Sequence, residues 1–380
     1  MRVLVLAPEP LFPSNSGGRI DALTVARALK SLGHEVHVRC FRHQFEKEFE
    51  PVEFDSYATI QRKSFFRATM AKPLTPYQIS SRDDLPWFPT ECRVDAVVAI
   101  QEWVLPMARE VAQVAGAMLF LRVANDEAAY LASLARDEAS WKKKTYLWLE
   151  ASRSRSLLRR ANFYRGITHS WPISQESTPQ GLAATVLAPV LYQEALVDAR
   201  FGRESVLFIG ALDVAHTLKG VQWFVDNVWP LVRAQIPTAT FLVGGRGCDR
   251  VHVRSVLAAE GVELLGELDD PTRFYEKASV FVNPVLSGSG VNMKVGPPAS
   301  AGMPYVTTPV GARGVPHLAE GMSIQDSAAG FAQEVLKLLE DCDYWTSKSV
   351  EIRSRVRKEF SQEAMAAELS SWLPRRHREA

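Results

Sequence analysis

The sequence predicts an α/β protein made of two strand-and-helix domains. Three observations carry this. Short apolar runs alternate with amphipathic stretches of helical period, the pattern of βαβ units. The series stops at a composition shift between Ala188-Pro189-Val190 and Glu204, then restarts at Val206-Leu207-Phe208-Ile209-Gly210. The length of 380 residues also exceeds what one hydrophobic core normally fills, so two domains are expected, over 1–190 and 203–360.

Arg2 to Ala7 reads as a first, central strand. The loop PEPLFPSNSGGR leads into Ile20, Leu23, Ala26, Leu29 and Leu32, spaced as one face of a helix. Asn15 or Ser16 can cap this helix, and Gly33 closes it. Val36, Val38 and Cys40 alternate as the second strand, so residues 1–40 form a βαβ unit. Gly17-Gly18-Arg19 then sits at a helix N-terminus, either as an anion-accepting loop or as a plain turn. It is not a dinucleotide fingerprint, because the G-x-G-x-x-G spacing and the acidic end of the second strand are missing.

Residues 41–93 show no steady period and are expected to be loops and short helices shaping an acceptor pocket. Val94–Ile100 reads as a strand, Trp103–Ala115 as a helix and Met118–Val123 as a strand. Asn125 and Glu127 follow that last strand, where open parallel sheets place ligands. The competing reading is that Asn125 and Asp126 only cap the next helix. Residues 136–165 are helical in pattern and rich in basic and aromatic side chains, among them Trp141, Lys142-Lys143-Lys144, Trp148, Arg155, Arg159 and Arg160. Such a run over 141–160 is either a solvated face or a contact with anionic lipid headgroups. Ile167–Ile173 closes the first domain as a strand, with Ser174-Gln175-Glu176 opening a helix.

In the second domain, Lys219-Gly220 is read at a helix start. Thr240–Gly244 and Val262–Leu265 are strands, the latter leading into Gly266-Glu267-Leu268. Ser279–Pro284 is a buried strand, and Gly288-Ser289-Gly290 opens a loop at its C-terminal end. Val291–Ala301 forms helix in pieces, since Pro297 and Pro298 interrupt it, and Met303–Thr308 is a further short strand. Strand, glycine loop and helix N-terminus leave free N–H groups converging near Gly288–Val291, a place for a phosphate or diphosphate; glycines that merely turn the chain are the alternative. Helices are expected at 331–339, 344–358 and 361–373.

Composition narrows the function classes. A formal net charge of +1 gives no global attraction to nucleic acid. The four cysteines, at 40, 92, 248 and 342, lack CxxC spacing, which fits a reducing compartment and not a zinc site. The start MRVLVLAPEP is too short an apolar run for a signal peptide, and no segment has the 18 or so apolar residues of a membrane span. A cytoplasmic location is expected, with contact only at the inner membrane's cytoplasmic face. His216 and His317 are each alone, and no Ser/His/Asp order, metal-ligand cluster or Walker A loop is present.

The stretch LSGSGVNMKVGPPASAGMPYVTTPVGARGV resembles the donor-binding run of retaining glycosyltransferases of family 4: Gly288, Gly290, Lys294, Ala301, Gly302, Pro304, Thr308, Gly311 and Gly314 fall in step. The block from Gly210 through Asp213, Gly220, Trp223-Phe224, Val228 and Pro230 is similar to another motif of that family. Arg122-Val123-Ala124-Asn125-Asp126-Glu127 resembles the Arg-x-His-Asn-x-Glu run of a bacterial branch, with Ala124 in place of the histidine. Three further departures are Pro297 at the family's glutamate, Ser287 at its acidic residue before the glycine loop, and Ala211 where some members have arginine.

The resemblance implies the GT-B architecture, two Rossmann-like lobes facing across a cleft, with a C-terminal helix at about 361–380 packed back on the first. It implies transfer of a sugar from a nucleotide diphosphate sugar to a hydroxyl of a glycan, lipid-linked or small-molecule acceptor. Retention is implied, with no metal and no cofactor. Asn125, Glu127, Lys219 and Lys294 would serve catalysis. Gly17, Gly18 and Arg19 would face donor phosphates and sugar, as would Asp213 and the run Ser287, Gly288, Ser289, Gly290 and Val291. Backbone groups at Gly266 and Leu268 would meet the nucleobase. A lost charged hydrogen bond is worth about 1.5–3 kcal/mol, so the missing carboxylates bear on the donor. The lobe is either a degenerate partner subunit or one for an atypical donor, such as a dTDP- or CMP-linked sugar; the choice among dTDP-, UDP-, GDP- and CMP-linked donors stays open. No carboxylate–histidine set or cofactor lysine context supports an epimerase or phosphorylase.

Overall fold

The computed structural model describes residues 1–373 except 15, 44–45, 47–50, 84–92, 139, 161, 180, 195–196, 269–271 and 288–290, and the side chains of 137, 316 and 317. The chain forms two compact units, one of Met1–Val190 together with the chain from Gln362 onward, the other of Leu191–Ser361.

The first unit runs β1 (Arg2–Ala7), α1 (Gly17–Ser31), β2 (Glu35–Arg42), β3 (Ser56–Gln61), α2 (Phe65–Ala71), α3 (Tyr77–Ser80), β4 (Ala96–Ile100), α4 (Leu105–Ala115), β5 (Met118–Val123), α5 (Glu127–Asp137), α6 (Trp141–Leu158) and β6 (His169–Pro172). Its sheet is parallel, in the order β3-β2-β1-β4-β5-β6. Strand β1 is apolar almost throughout because helices cover both faces of a parallel sheet. Val3, Val5 and Ala7 point into a layer with Leu23, Val25, Ala26 and Leu29 of α1. Leu4 and Leu6 point the other way, to Leu105, Ala108 and Val111 of α4. Ser16 caps α1 by accepting from the Arg19 N–H, and Gly33 leaves the helix end at φ 80°.

Four local expectations are corrected here. Strand β3 lies in the stretch read as loops and short helices; it pairs with β2 from His37–Ser56 to Arg42–Gln61. It is an edge strand with no fully buried residue, so it carries no buried apolar run to betray it. The helix expected from Trp103 opens as a 3-10 turn at Glu102–Val104, and α4 begins only at Leu105 with Pro106 in its first turn. The basic helical stretch is two helices, α5 ending at Asp137 and α6 running from Trp141 to Leu158. After β6 there is one 3-10 turn at Gln175–Ser177 instead of a longer helix.

The second unit runs β7 (Ser205–Ile209), α7 (Ala215–Trp223), α8 (Trp229–Gln235), β8 (Thr240–Gly244), α9 (Val251–Val256), β9 (Val262–Gly266), β10 (Val280–Asn283), α10 (Gly296–Ser300), β11 (Tyr305–Thr307), α11 (Pro316–Ala319), β12 (Ser323–Ile324), α12 (Ala328–Glu340) and α13 (Cys342–Glu359). This sheet is also parallel, in the order β12-β11-β10-β7-β8-β9. A π-helical turn, Phe224–Val228, joins α7 to α8 ahead of Pro230. Phe224 packs on Phe241 with centroids 4.7 Å apart and on Phe331 at 5.6 Å, anchoring α7 and α12 to the sheet. The chain then returns as α14 (Gln362–Leu369), whose Met365, Ala366 and Leu369 join the α1 layer of the first unit.

Each sheet has one point where strand order reverses, between β1 and β4 in the first unit and between β7 and β10 in the second. Ligands of open α/β sheets bind outside the carboxyl ends of the strands at such points.

Candidate functional site

At the reversal point of the second unit stands Lys294. Asn292 accepts from its backbone N–H at 3.2 Å, setting the 3-10 turn Met293–Val295. The amine donates to Thr217 Oγ1 at 3.4 Å and lies 5.6 Å from the centroid of the Phe208 ring. Gly210, just past β7, adjoins it: a Cβ there would come within 3.1 Å of Nζ. Burial pushes the Lys294 amine down to about 8. A cation enclosed by an apolar ring, a glycine and one hydroxyl favours an anion that replaces the lost water.

Lys219 is exposed and lies in the interior of α7, fifth of nine residues, so its placement at a helix start is corrected. The next residue explains the local sequence. A Cβ on Gly220 would stand 2.5 Å from the Pro284 carbonyl oxygen, so only glycine lets α7 lie against the segment leaving β10. Gly245 has the same role beside β7: at φ 117°, its Cβ would meet the Gly210 carbonyl oxygen at 2.3 Å. The two glycines bring α7 and the β8 exit in around Gly210.

Asp213 accepts from Arg246 Nε on both carboxylate oxygens, at 3.0 and 2.9 Å. Gly266 ends β9 and accepts from the Gly245 N–H at 2.9 Å, while the Leu268 side chain packs over Gly244. Ser287 is exposed, and Val291 packs against Gly314. Gly288, Ser289 and Gly290 lie outside the described residues. Pro297 is partly exposed on α10 and offers no carboxylate.

In the first unit, Gly17 and Gly18 open α1, and Arg19 is held in ion pairs by Glu9 at 3.3 Å and by Glu46. Across the reversal point stands Gln101, the residue after β4. It adopts φ 65°, ψ 158°, a region essentially reserved for glycine. Its Nε2 lies 3.5 Å from where a Cβ on Gly18 would be. Asp126 caps α5 by accepting from the Ala129 N–H at 2.9 Å, so capping holds for Asp126, whereas Asn125 lines a cavity at the strand ends.

Glu127 is 7% exposed, and burial together with the neighbouring Glu102 pushes its carboxyl up to about 8. Glu102 is raised to about 7 by burial, with the Tyr164 hydroxyl 3.4 Å from Oε1. Arg82 is near enough to Glu127 for its charge to oppose that rise. It donates to the Pro8 carbonyl at 2.8 Å and to Gln78, lies over the Trp103 ring at 4.9 Å, and keeps a buried Nη2 without a partner. Among the described residues no three His, Cys, Asp or Glu side chains converge as a metal site.

Sequence reasoning missed Gln101, Glu102, Arg82 and Thr217. The first two had a usable signal, since they directly follow the buried run Ala96–Ile100 of a parallel strand. Arg82 had none, because Pro8, 74 residues away, meets it only through the fold.

Residues 203–341 match the family model described as "Glycosyl transferases group 1". A Klebsiella pneumoniae protein, described as an uncharacterized 44.6 kDa protein in the cps region, is 24% identical over 356 residues, 88% of this chain and 90% of that one. Similar solved structures include sucrose-phosphate synthase from Thermosynechococcus elongatus, with TM-score 0.66 and 14% identity over 98% of both chains. WaaG, a glycosyltransferase involved in lipopolysaccharide biosynthesis, has TM-score 0.62 and 14% identity over 97% of this chain and 99% of its own. Anabaena HepE, solved with UDP and glucose, has TM-score 0.61 and 12% identity over 98% and 99%. The likeness shows the GT-B type of fold, and the family match supports a glycosyltransferase.

Proposed function

We propose that the protein transfers a sugar from a nucleotide-activated donor to a hydroxyl of a glycan or lipid-linked acceptor, with retention and without a metal. The observation that carries this is the Lys294 amine, enclosed at the β7/β10 reversal point beside Gly210 and Thr217. In this reading it meets the departing diphosphate, with Lys219 on α7 adding positive charge. Stabilising a leaving group in this way requires preorganised donors and no general base. In the first unit, Asn125 and Glu127 mark the acceptor side.

The donor class follows from the carboxylates the chain lacks. With Pro297 and Ser287 in place of acidic residues, the second unit holds fewer hydroxyls, which favours a deoxyribose nucleotide or an acidic sugar. The same substitutions favour the rival reading, a partner subunit that keeps the fold without turnover. Exposed Trp141 and Trp148 of α6, beside Lys142–Lys144, support contact with an anionic membrane surface that would present a lipid-linked acceptor. No helix among the described residues is long and apolar enough to cross a membrane.

The test is calorimetric titration with UDP, GDP, dTDP, CMP and their sugars, using Lys294→Ala as control. Saturable binding of one nucleotide, lost in the variant, is the expected result. Absence of binding across the panel would leave the partner-subunit reading.

A further inference from the structure

The cavity at the ends of β4, β5 and β6 has a volume of about 670 Å³, within the size of small-molecule sites. One wall holds Glu102 and Asn125 at the strand ends. The other is the end of α6 and the loop after it, which bring Arg155, Arg159, Arg160 and Arg165 to the lining. Arg155 and Arg159 are four residues apart on one helix, where like charges repel.

Three nearby arginines of this unit are engaged: Arg153 by Glu150 at 2.7 Å, Arg109 by the carbonyls of Phe163 and Arg165, and Arg122 by Asp21. None of the four cavity side chains has an ion pair among the described residues. Of the three acidic groups in the lining, Asp126 is engaged as a helix cap and Glu102 holds its proton up to about 7, which leaves exposed Glu176 as the one carboxylate set against four arginines.

We infer that this cavity binds the phosphoryl group of a phosphorylated acceptor. Guanidinium forks match phosphoryl oxygens two at a time, and four of them offer more donors than one carboxylate can use. The lining also supplies what a sugar ring needs: the Asn125 amide and the Glu102 carboxyl at the strand ends, and the Tyr164 hydroxyl from the loop after α6. An anion among the arginines also removes their mutual repulsion. The inference rests on the reading of the first unit as the acceptor side, and it adds the chemical class of the acceptor.

The experiment is calorimetric titration of the full chain with inorganic pyrophosphate, glucose 1-phosphate and monomeric dihexanoyl phosphatidic acid, with glucose as the uncharged control. Each is repeated in Lys294→Ala, in Arg155→Ala/Arg159→Ala and in Arg160→Ala. Expected is saturable pyrophosphate binding that survives Lys294→Ala and weakens at least tenfold in the double variant. Arg160→Ala gives the same reading should the double variant not fold. Preference for glucose 1-phosphate assigns the phosphoryl group to a soluble sugar phosphate, and preference for phosphatidic acid assigns it to a lipid; either supports the inference. Binding abolished by Lys294→Ala but untouched by the arginine variants would overturn it, as would no binding of any phosphoryl probe. Nucleotide titrations on the same samples separate the two ideas. Nucleotide binding without arginine-dependent phosphoryl binding sinks only this inference, and the reverse sinks only the donor-site reading.

Discussion

Arg122 on β5 grips Asp21 on α1 through two hydrogen bonds, at 2.9 and 2.6 Å, with both side chains buried. The guanidinium also donates to the carbonyls of Trp171 and Leu187. This pair fixes the helix that begins at Gly17-Gly18 relative to the strand that ends before Asn125. Arg122 therefore positions the site without lining its cavity.

Removing one partner leaves a buried charge alone, which costs about 3–5 kcal/mol. Asp21→Ala is expected to lose that much stability in urea unfolding. The double change Asp21→Leu/Arg122→Met is expected to recover part of it. A single variant as stable as the parent would show that the pair contributes nothing.

Lys294→Ala is expected to weaken nucleotide diphosphate binding by roughly ten- to a hundredfold, the equivalent of about 1.5–3 kcal/mol for a charged hydrogen bond. The pH dependence has a definite sign. With the amine at about 8, the site is cationic below that pH and loses its charge above it. Affinity should fall as pH rises from 7 to 9 in the parent chain, while Lys294→Arg should stay flat over that range. Isothermal titration at three pH values checks both.

Glu127→Gln probes the acidic pair. In the unfolded chain this carboxyl ionises near its ordinary value of about 4.3, whereas the folded chain holds the proton to about 8. Between these values the folded state binds more protons, so its stability falls as pH rises. Melting temperature should drop between pH 5 and pH 8 in the parent and less steeply in Glu127→Gln. Parallel curves would disprove the burial account.

Gln101→Gly relieves a backbone conformation that costs a non-glycine residue about 1–3 kcal/mol. The variant should melt higher or unchanged despite the added freedom of its unfolded chain. Its transfer rate with a working donor should drop, since the amide beside Gly18 is lost. A variant that melts lower would show that the Gln101 side chain contributes more than the strain costs.

Most of the fold is legible in the sequence because parallel strands covered on both faces are written as unbroken apolar runs. Val3–Ala7 and Val206–Ile209 are examples. Strand β3 escapes that rule, since an edge strand has one neighbour and Ser56–Gln61 holds only half-buried and exposed positions. Lys219 was misplaced along its helix because Ala215 and His216, which begin α7, carry no cap signal; Val214 makes no side-chain cap bond. Lys294 and the glycine pair stand out locally as residue types with obvious chemistry. The arginine wall does not: Arg155, Arg159, Arg160 and Arg165 read as a solvated face until the fold sets Glu102 and Asn125 opposite them.

The chain leaves the first unit at Val190 and re-enters it at Gln362, so the second unit is inserted within the first. Gln362 donates to the Thr24 carbonyl of α1 at 2.7 Å, His34 meets the Leu373 carbonyl at 3.1 Å, and Trp372 stacks on His169 at 3.6 Å. During synthesis, the N-terminal half must wait for residues 362–373 to emerge from the ribosome before its α1 layer is sealed, while residues 191–361 are already made. A stop codon near residue 361 would thus injure the half of the protein made first.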